Sequence, residues 1–144
     1  TMDRLGIGYD VLKEQNPDVK ILAVEPPIGE QVEGLRNLDE GYIPPVYEKW
    51  GGPDLLDGKR IVRPRESLEW TRKLAEIGIF SGISAGAALA GAIRTAEKLA
   101  ESDSEAEATI VFIVSDSGWK YLSTGAWTDD LDEVVERAKS IIYF

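Results

Sequence analysis

Apolar residues in this chain recur in two rhythms that alternate along its length. Residues 5–15 carry them at helical spacing, Asn16-Pro17-Asp18 supplies turn chemistry, and Val19 to Val24 is an apolar run stopped by Glu25-Pro26-Pro27. Helix, turn and strand are the predicted elements. From there to Gly58 glycine and proline interrupt every longer pattern, so only short ordered pieces are expected in a surface stretch. Lys59 to Arg63 predicts a strand. A helix follows from Pro64 to Ile77, with proline in its first turn, Gly78 just past its end, and Leu68, Leu74, Ala75 and Ile77 as its buried stripe. Ile79-Phe80-Ser81 reads as a short strand running into Gly82-Ile83-Ser84-Ala85-Gly86. Beyond that turn Leu89, Ile93, Ala96 and Ala100 recur at helical spacing. After an acidic linker, Glu101 to Glu107, the uninterrupted run Thr109 to Val114 predicts a strand buried on both faces of a parallel sheet. A loop, a helix from about Asp129 to Lys139 and the apolar tail Ile141 to Phe144 close the chain. Strands alternating with helices predict an α/β fold, a mostly parallel sheet with flanking helices. No internal repeat is present.

Composition narrows the partners. The 144 residues suit one domain or one large piece of a domain. With 26 acidic against 16 basic residues the net charge is −10, and no Lys/Arg-rich stretch exists, so nucleic acid is repelled. An anionic ligand then needs local help, from an arginine fork or the positive end of a helix. No apolar run approaches the roughly 20 residues that span a bilayer, and no basic segment followed by an apolar one opens the chain, so no membrane is expected and the compartment is read as cytoplasmic. The chain has neither cysteine nor histidine, which removes disulfides, thiolate metal sites and the commonest general base. No metal is expected. The first residue, Thr1, suggests a processed or excised fragment.

Four segments carry candidate chemistry. Gly82-Ile83-Ser84-Ala85-Gly86 matches G-x-S-x-G, the nucleophile elbow of serine hydrolases. That mechanism needs a histidine to take the serine proton, and there is none. What remains is either a turn of small residues that presents one hydroxyl to a ligand at a helix N-terminus, or a bare tight turn. Gly6-Ile7-Gly8 is half of a dinucleotide fingerprint, lacks the third glycine because position 11 is valine, and reads better as close helix packing. Arg36, in Gly34-Leu35-Arg36-Asn37-Leu38-Asp39-Glu40-Gly41, either pairs with Asp39 and Glu40 or binds an anion. Ser115-Asp116-Ser117-Gly118 follows the predicted strand at the end where α/β sheets place ligands, though Asp and Ser are ordinary turn formers there. Trp119, Tyr121 and Trp127 are expected to cover the core beneath it.

Together these pieces resemble the cysteine synthase family, the fold-type II enzymes that use pyridoxal phosphate (PLP) and share a tryptophan synthase β-like fold. Three stretches carry the resemblance: ILAVEP at Ile21 to Pro26, GIFSGISAGAALAGAI at Gly78 to Ile93, and VSDSGWKYLSTGAW at Val114 to Trp127. Their order and separations are similar to the family's VEP-like strand end, GISSGA-like turn and DSGERYLST-like segment. The resemblance covers nearly all of the chain from Gly6 on. LRNLDEGYIPPVY, Leu35 to Tyr47, is similar to the LRNMDEGF segment of the branch that uses O-phosphoserine in place of O-acetylserine.

The resemblance implies that residues 1–144 form one partial domain, the C-terminal part of the large PLP-binding domain. It implies that Ser84 meets the pyridine nitrogen of PLP and that Arg36 grips the substrate phosphate, with β-replacement on O-phosphoserine, or O-acetylserine, as the reaction. The sulfur donor is then sulfide or a small thiocarboxylated carrier protein, and the parent enzyme a homodimer. An acetylserine sulfhydrylase or cystathionine β-synthase fragment is the second reading, and a non-catalytic α/β ligand-binding module the third. No lysine here stands in the family's Schiff-base motif. The asparagine loop that cradles the cofactor and the GTGGT-like phosphate loop are not matched either. No catalytic residue is therefore assigned, and the chain alone is expected to be inactive.

Overall fold

The computed structural model describes residues 11–41, 43–49, 51–103, 105 and 107–140. Two short strands, β1 (Leu22–Glu25) and β2 (Gly58–Ile61), lie side by side. The Asp57 amide donates to the Ile21 carbonyl at 2.8 Å, and the Val62 amide to the Glu25 carbonyl at 2.9 Å. Partners advance together along both strands, so the pair is parallel. The predicted strand at 19–24 thus starts three residues later, and Pro26 and Pro27 end it as expected. The chain divides into two units, the described residues of 1–23 with 38–60 and those of 24–37 with 61–140.

In the first unit residues 11–15 are helical, and the start of that predicted helix, with Gly6-Ile7-Gly8, lies outside the described residues. Asp57 organises the polar side of the unit: it accepts the Ile21 amide at 2.8 Å and ion pairs from Lys13 at 3.3 Å and Lys20 at 3.4 Å. The proline- and glycine-rich stretch orders only in short pieces, α1 (Pro45–Lys49) and a 3-10 turn at Gly52–Leu55. The chain enters that turn through Gly51 at φ 109° and Gly52 at φ 57°, values that side chains resist.

The second unit is built on two helices, α2 (Pro64–Glu76) and α3 (Ile83–Ser102). Pro64 sits in the first turn of α2, and Gly78, at φ 88°, turns the chain away past its end. The core gathers Val32, Val62, Leu68, Ile83, Ala87, Ala90, Ala126 and Val134. Leu68 and Leu74 are buried as predicted, but Ile77 is 72% exposed, because the helix stops at Glu76 and Ile77 belongs to its cap. On α3 the buried face is Ile83, Ala87 and Ala90, while Ala96 and Ala100 are exposed. The small residue Gly86 lies directly against Ser67 and Thr71 of α2. A last helix, α4 (Leu131–Ser140), begins where the Asp130 carboxylate accepts the amides of Asp132 at 2.9 Å and Glu133 at 3.3 Å. Arg65 joins α2 to α4 by an ion pair with Asp132.

Two predicted strands are absent among the described residues. Ile79–Ser81 makes one antiparallel bridge, Ser81 to Ser117, and no strand. The run from Thr109 to Val114 forms no strand and no ladder bond among the described residues, with Val111 83% and Ile113 55% exposed. A strand exists only where a neighbour takes its hydrogen bonds, and none does here. A 3-10 stretch, Gly118–Thr124, replaces the expected loop. The tail 141–144 lies outside the described residues.

Candidate functional site

Ser84 occupies the first turn of α3, flanked by glycines that leave no room for side chains. A Cβ on Gly82 would overlap the Asp116 carboxylate and come within 2.7 Å of the Tyr121 ring; one on Gly86 would overlap the Ser67 carbonyl oxygen and Thr71 Oγ1. The Ile83 carbonyl, one residue before Ser84, accepts the Ser67 hydroxyl at 2.8 Å and the Thr71 hydroxyl at 3.3 Å. The turn is therefore clamped on both sides of the serine. Ser84 is 8% exposed, and among the described residues nothing hydrogen-bonds to its hydroxyl. The first turn of α3 has no acidic residue, so the positive end of the helix dipole is presented with that hydroxyl.

The loop carrying Arg36 passes directly beside it. The Leu35 amide closes a turn onto the Val32 carbonyl at 2.9 Å, and Gly34 takes φ 82° within it. A Cβ built on Gly34 would lie 3.6 Å from Ser84 Cβ and 3.7 Å from Ser84 Oγ. The far end of the loop is pinned by Asn37, which donates to the Pro26 carbonyl at 2.8 Å and, at 3.5 Å, to the buried carboxylate of Glu25. Arg36 is exposed between these anchors, two residues and so at most about 7 Å of chain from Gly34. Of the two carboxylates the sequence offered it, Asp39 pairs with Lys59 at 2.8 Å.

Residues 115–118 are tied to the same turn. The Gly82 amide donates to the Asp116 carbonyl at 2.9 Å and the Gly118 amide to the Phe80 carbonyl at 3.1 Å. Asp116 Oδ2 accepts the Tyr121 hydroxyl at 2.7 Å and faces Lys120 at 3.2 Å. Among the described residues Asp116 Oδ1, Ser81 Oγ and Trp127 Nε1 are buried without partners. Tyr121 and Trp127 pack on the core as expected. Trp119 does not: it is 71% exposed and touches Phe80 edge-on at 5.1 Å. The sequence offered Ser84, Arg36 and the segment 115–118 as candidates; it did not point to the Gly34 contact or the Ser67–Thr71 clamp. The signal for the clamp was present, since Ser67 and Thr71 stand four residues apart beside Leu68 on a helix.

No group of acidic residues suited to a metal ion occurs among the described residues. A mostly apolar pocket of about 130 Å³ opens between Val32, Leu68, Ile83 and Val134, well short of the roughly 300 Å³ at which ligand clefts begin.

No family model matches the chain. Solved structures place its fold among the fold-type II, tryptophan synthase β-like enzymes. A cysteine synthase from Entamoeba histolytica superposes with TM-score 0.69 and 25% identity, over 94% of this chain and 41% of that one. An O-acetylserine dependent cystathionine β-synthase from Helicobacter pylori superposes with TM-score 0.63 and 29% identity, over 81% of this chain and 37% of that one. Its homologues are cysteine synthases, which are PLP-dependent. Cysteine synthase B of Pseudomonas aeruginosa is 34% identical over 117 residues, 81% of this chain and 36% of the relative. That of Escherichia coli is 32% identical over 120 residues, 83% and 36%. The chain thus spans little more than a third of the relatives it matches. No described helix is long and apolar enough to cross a membrane.

Proposed function

We propose that this chain is the C-terminal part of the large domain of a PLP-dependent cysteine synthase that acts on O-phosphoserine. The observation that carries the reading is the hydroxyl of the largely buried Ser84, without a partner among the described residues, at a helix N-terminus beside the glycine of the Arg36 loop. The residues fit the ring end of the cofactor. Ser84 offers one neutral donor suited to a pyridine nitrogen, and Gly34 keeps the space in front of it clear of a side chain. PLP, when bound, supplies the electron sink for β-replacement. A neutral hydroxyl suits that task, since elimination of a good leaving group needs only a modest sink. Ser84 holds the ring, and the clamp at the Ile83 carbonyl holds the backbone that carries it. Arg36 binds the substrate phosphate, because a dianion in a chain of net charge −10 calls for a guanidinium fork.

None of the eight lysines stands in the family's lysine motif, so the covalent anchor of the cofactor is assigned to polypeptide outside this chain. The sulfur donor is sulfide or a thiocarboxylated carrier protein, and the assembled enzyme is a cytoplasmic homodimer. An acetylserine enzyme is the second reading, favoured by the acetylserine-dependent enzyme among the solved structures. A chimera separates the two, with this chain replacing the matched segment of the P. aeruginosa enzyme. Arg36→Ala is expected to lower kcat/KM for O-phosphoserine at least tenfold more than for O-acetylserine, since only the former loses a charge-assisted contact of about 1.5–3 kcal/mol. Equal losses return Arg36 to a structural role. The 144-residue chain alone is expected to turn over neither substrate.

A further inference from the structure

The carbonyls at the end of β1 find different partners. That of Glu25 accepts the Val62 amide at 2.9 Å. The next, on Pro26, is met by a side chain from further along the chain: Asn37 Nδ2 donates to it at 2.8 Å. The same nitrogen lies 3.5 Å from Glu25 Oε1, so one side-chain amide, with its two hydrogens, serves acceptors on consecutive residues. All of this is out of water, with Asn37 4% and Glu25 1% exposed and Pro26 among the fully buried side chains. Buried acceptors that lose their donor are costly, which makes the attachment firm. Its chemistry is also specific to asparagine. A leucine of similar size has no hydrogen to give, and an aspartate would set a further acceptor against two.

Arg36 immediately precedes this anchor and is exposed. On its other side Leu35 packs against the core and closes its turn onto the Val32 carbonyl at 2.9 Å. The backbone of the arginine is thus held from both directions while its side chain stays in solvent. We infer that Asn37 is the positioning residue for substrate choice: by fastening the loop to the buried end of β1 it orders Arg36 in advance for the substrate phosphate. It rests on the reading of Arg36 given above. A guanidinium on a loose loop must be ordered each time an anion binds, and that cost is removed when the loop is pinned beforehand. O-Acetylserine has no dianion for Arg36 to grip and draws nothing from that order. Selectivity would then depend on a buried amide that touches neither substrate.

The test uses the PLP-loaded chimera, with kinetics on both substrates, calorimetric titration of inorganic phosphate and thermal melts. Asn37→Ala is expected to lower the ratio of kcat/KM for O-phosphoserine to that for O-acetylserine at least tenfold, mainly through KM, and to weaken phosphate binding by a similar factor. Asn37→Leu, which restores the volume but not the donor, should show the same selective loss. In the Arg36→Ala background, Asn37→Ala is expected to change the ratio less than twofold, because the loop then has no guanidinium to place. A ratio unaltered by Asn37→Ala, a wild-type ratio in Asn37→Leu, or a full additional loss in the double variant overturns the inference. So does failure of both single variants to accumulate as folded protein, which would make Asn37 a residue of the fold alone. Equal losses for both substrates on Arg36→Ala remove the reading of Arg36 and this inference with it. A selective Arg36→Ala beside an unselective Asn37→Ala removes only the inference.

Discussion

At the scale of single residues, the site depends on one hydroxyl held in place by atoms that do not touch a ligand. In the chimera, Ser84→Ala is expected to weaken PLP binding about fivefold, the equivalent of about 1 kcal/mol for one neutral hydrogen bond, with the thermal melt of the apoprotein unchanged. Fluorescence titration with PLP measures it, and an unaltered affinity removes Ser84 from the cofactor. Ser84 was legible as a candidate because Gly82, Ala85 and Gly86 around it mark a backbone that something approaches closely. Asp116 was offered only as part of a loop that could equally be a turn. Asp and Ser after an apolar run are ordinary turn chemistry, and nothing local says that a carboxylate will be pressed against Gly82 with one oxygen unpartnered. Arg36 was legible as a candidate only, since a surface arginine among carboxylates has two ordinary fates.

Among the elements, the crossing of α2 and α3 is the joint on which the turn at Ser84 rests. Gly86→Ala is expected to destabilise the protein by about 1–3 kcal/mol in urea denaturation, because the new Cβ meets the Thr71 backbone amide at 2.6 Å and backbone cannot step aside. Ser67→Ala should cost only about 1 kcal/mol, since the Ile83 carbonyl keeps the Thr71 hydroxyl. A reversed order would show that the helices separate easily. Helices were readable in outline because their signals are local: Pro64 opens α2, Gly78 follows it, and the Asp130 carboxylate caps α4. Strands were readable only where a partner exists. Val19 to Val24 and Lys59 to Arg63 found each other across more than thirty residues and formed, with shifted ends, whereas Thr109 to Val114 carries an equally strong pattern and stands alone. Stripe residues near helix ends, Ile77 and Ala100, were misjudged: Ile77 falls on the cap of its own helix, and periodicity does not report how far packing extends along α3.

On the scale of the molecule, stability in the first unit leans on charge. The Asp57 carboxyl is held below its ordinary value, first by the Ile21 amide and then by Lys13 and Lys20, against partial desolvation that acts the other way. A depressed folded-state pKa means that this contribution is complete above the unfolded value, about 3.9, and fades as pH falls through the folded one. The stability gap between the wild-type chain and Asp57→Asn is therefore expected to be constant from pH 7 to 5 and to narrow below about pH 4, read by urea titrations across that range. A gap that ignores pH would mean that the side chain acts by shape alone. The far end of α3 has the opposite character. Its last turns, with Ala96 and Ala100 exposed, run to the exposed residues Asp103, Glu105 and Glu107. Lengthening a flexible connection costs only about 0.6 kcal/mol for each doubling, and exposed polar tips tolerate splicing best. The exposed end of α3 at Ser102 and Asp103 is thus a natural port for an inserted reporter or affinity peptide, where engineering can reach this protein without disturbing Ser84.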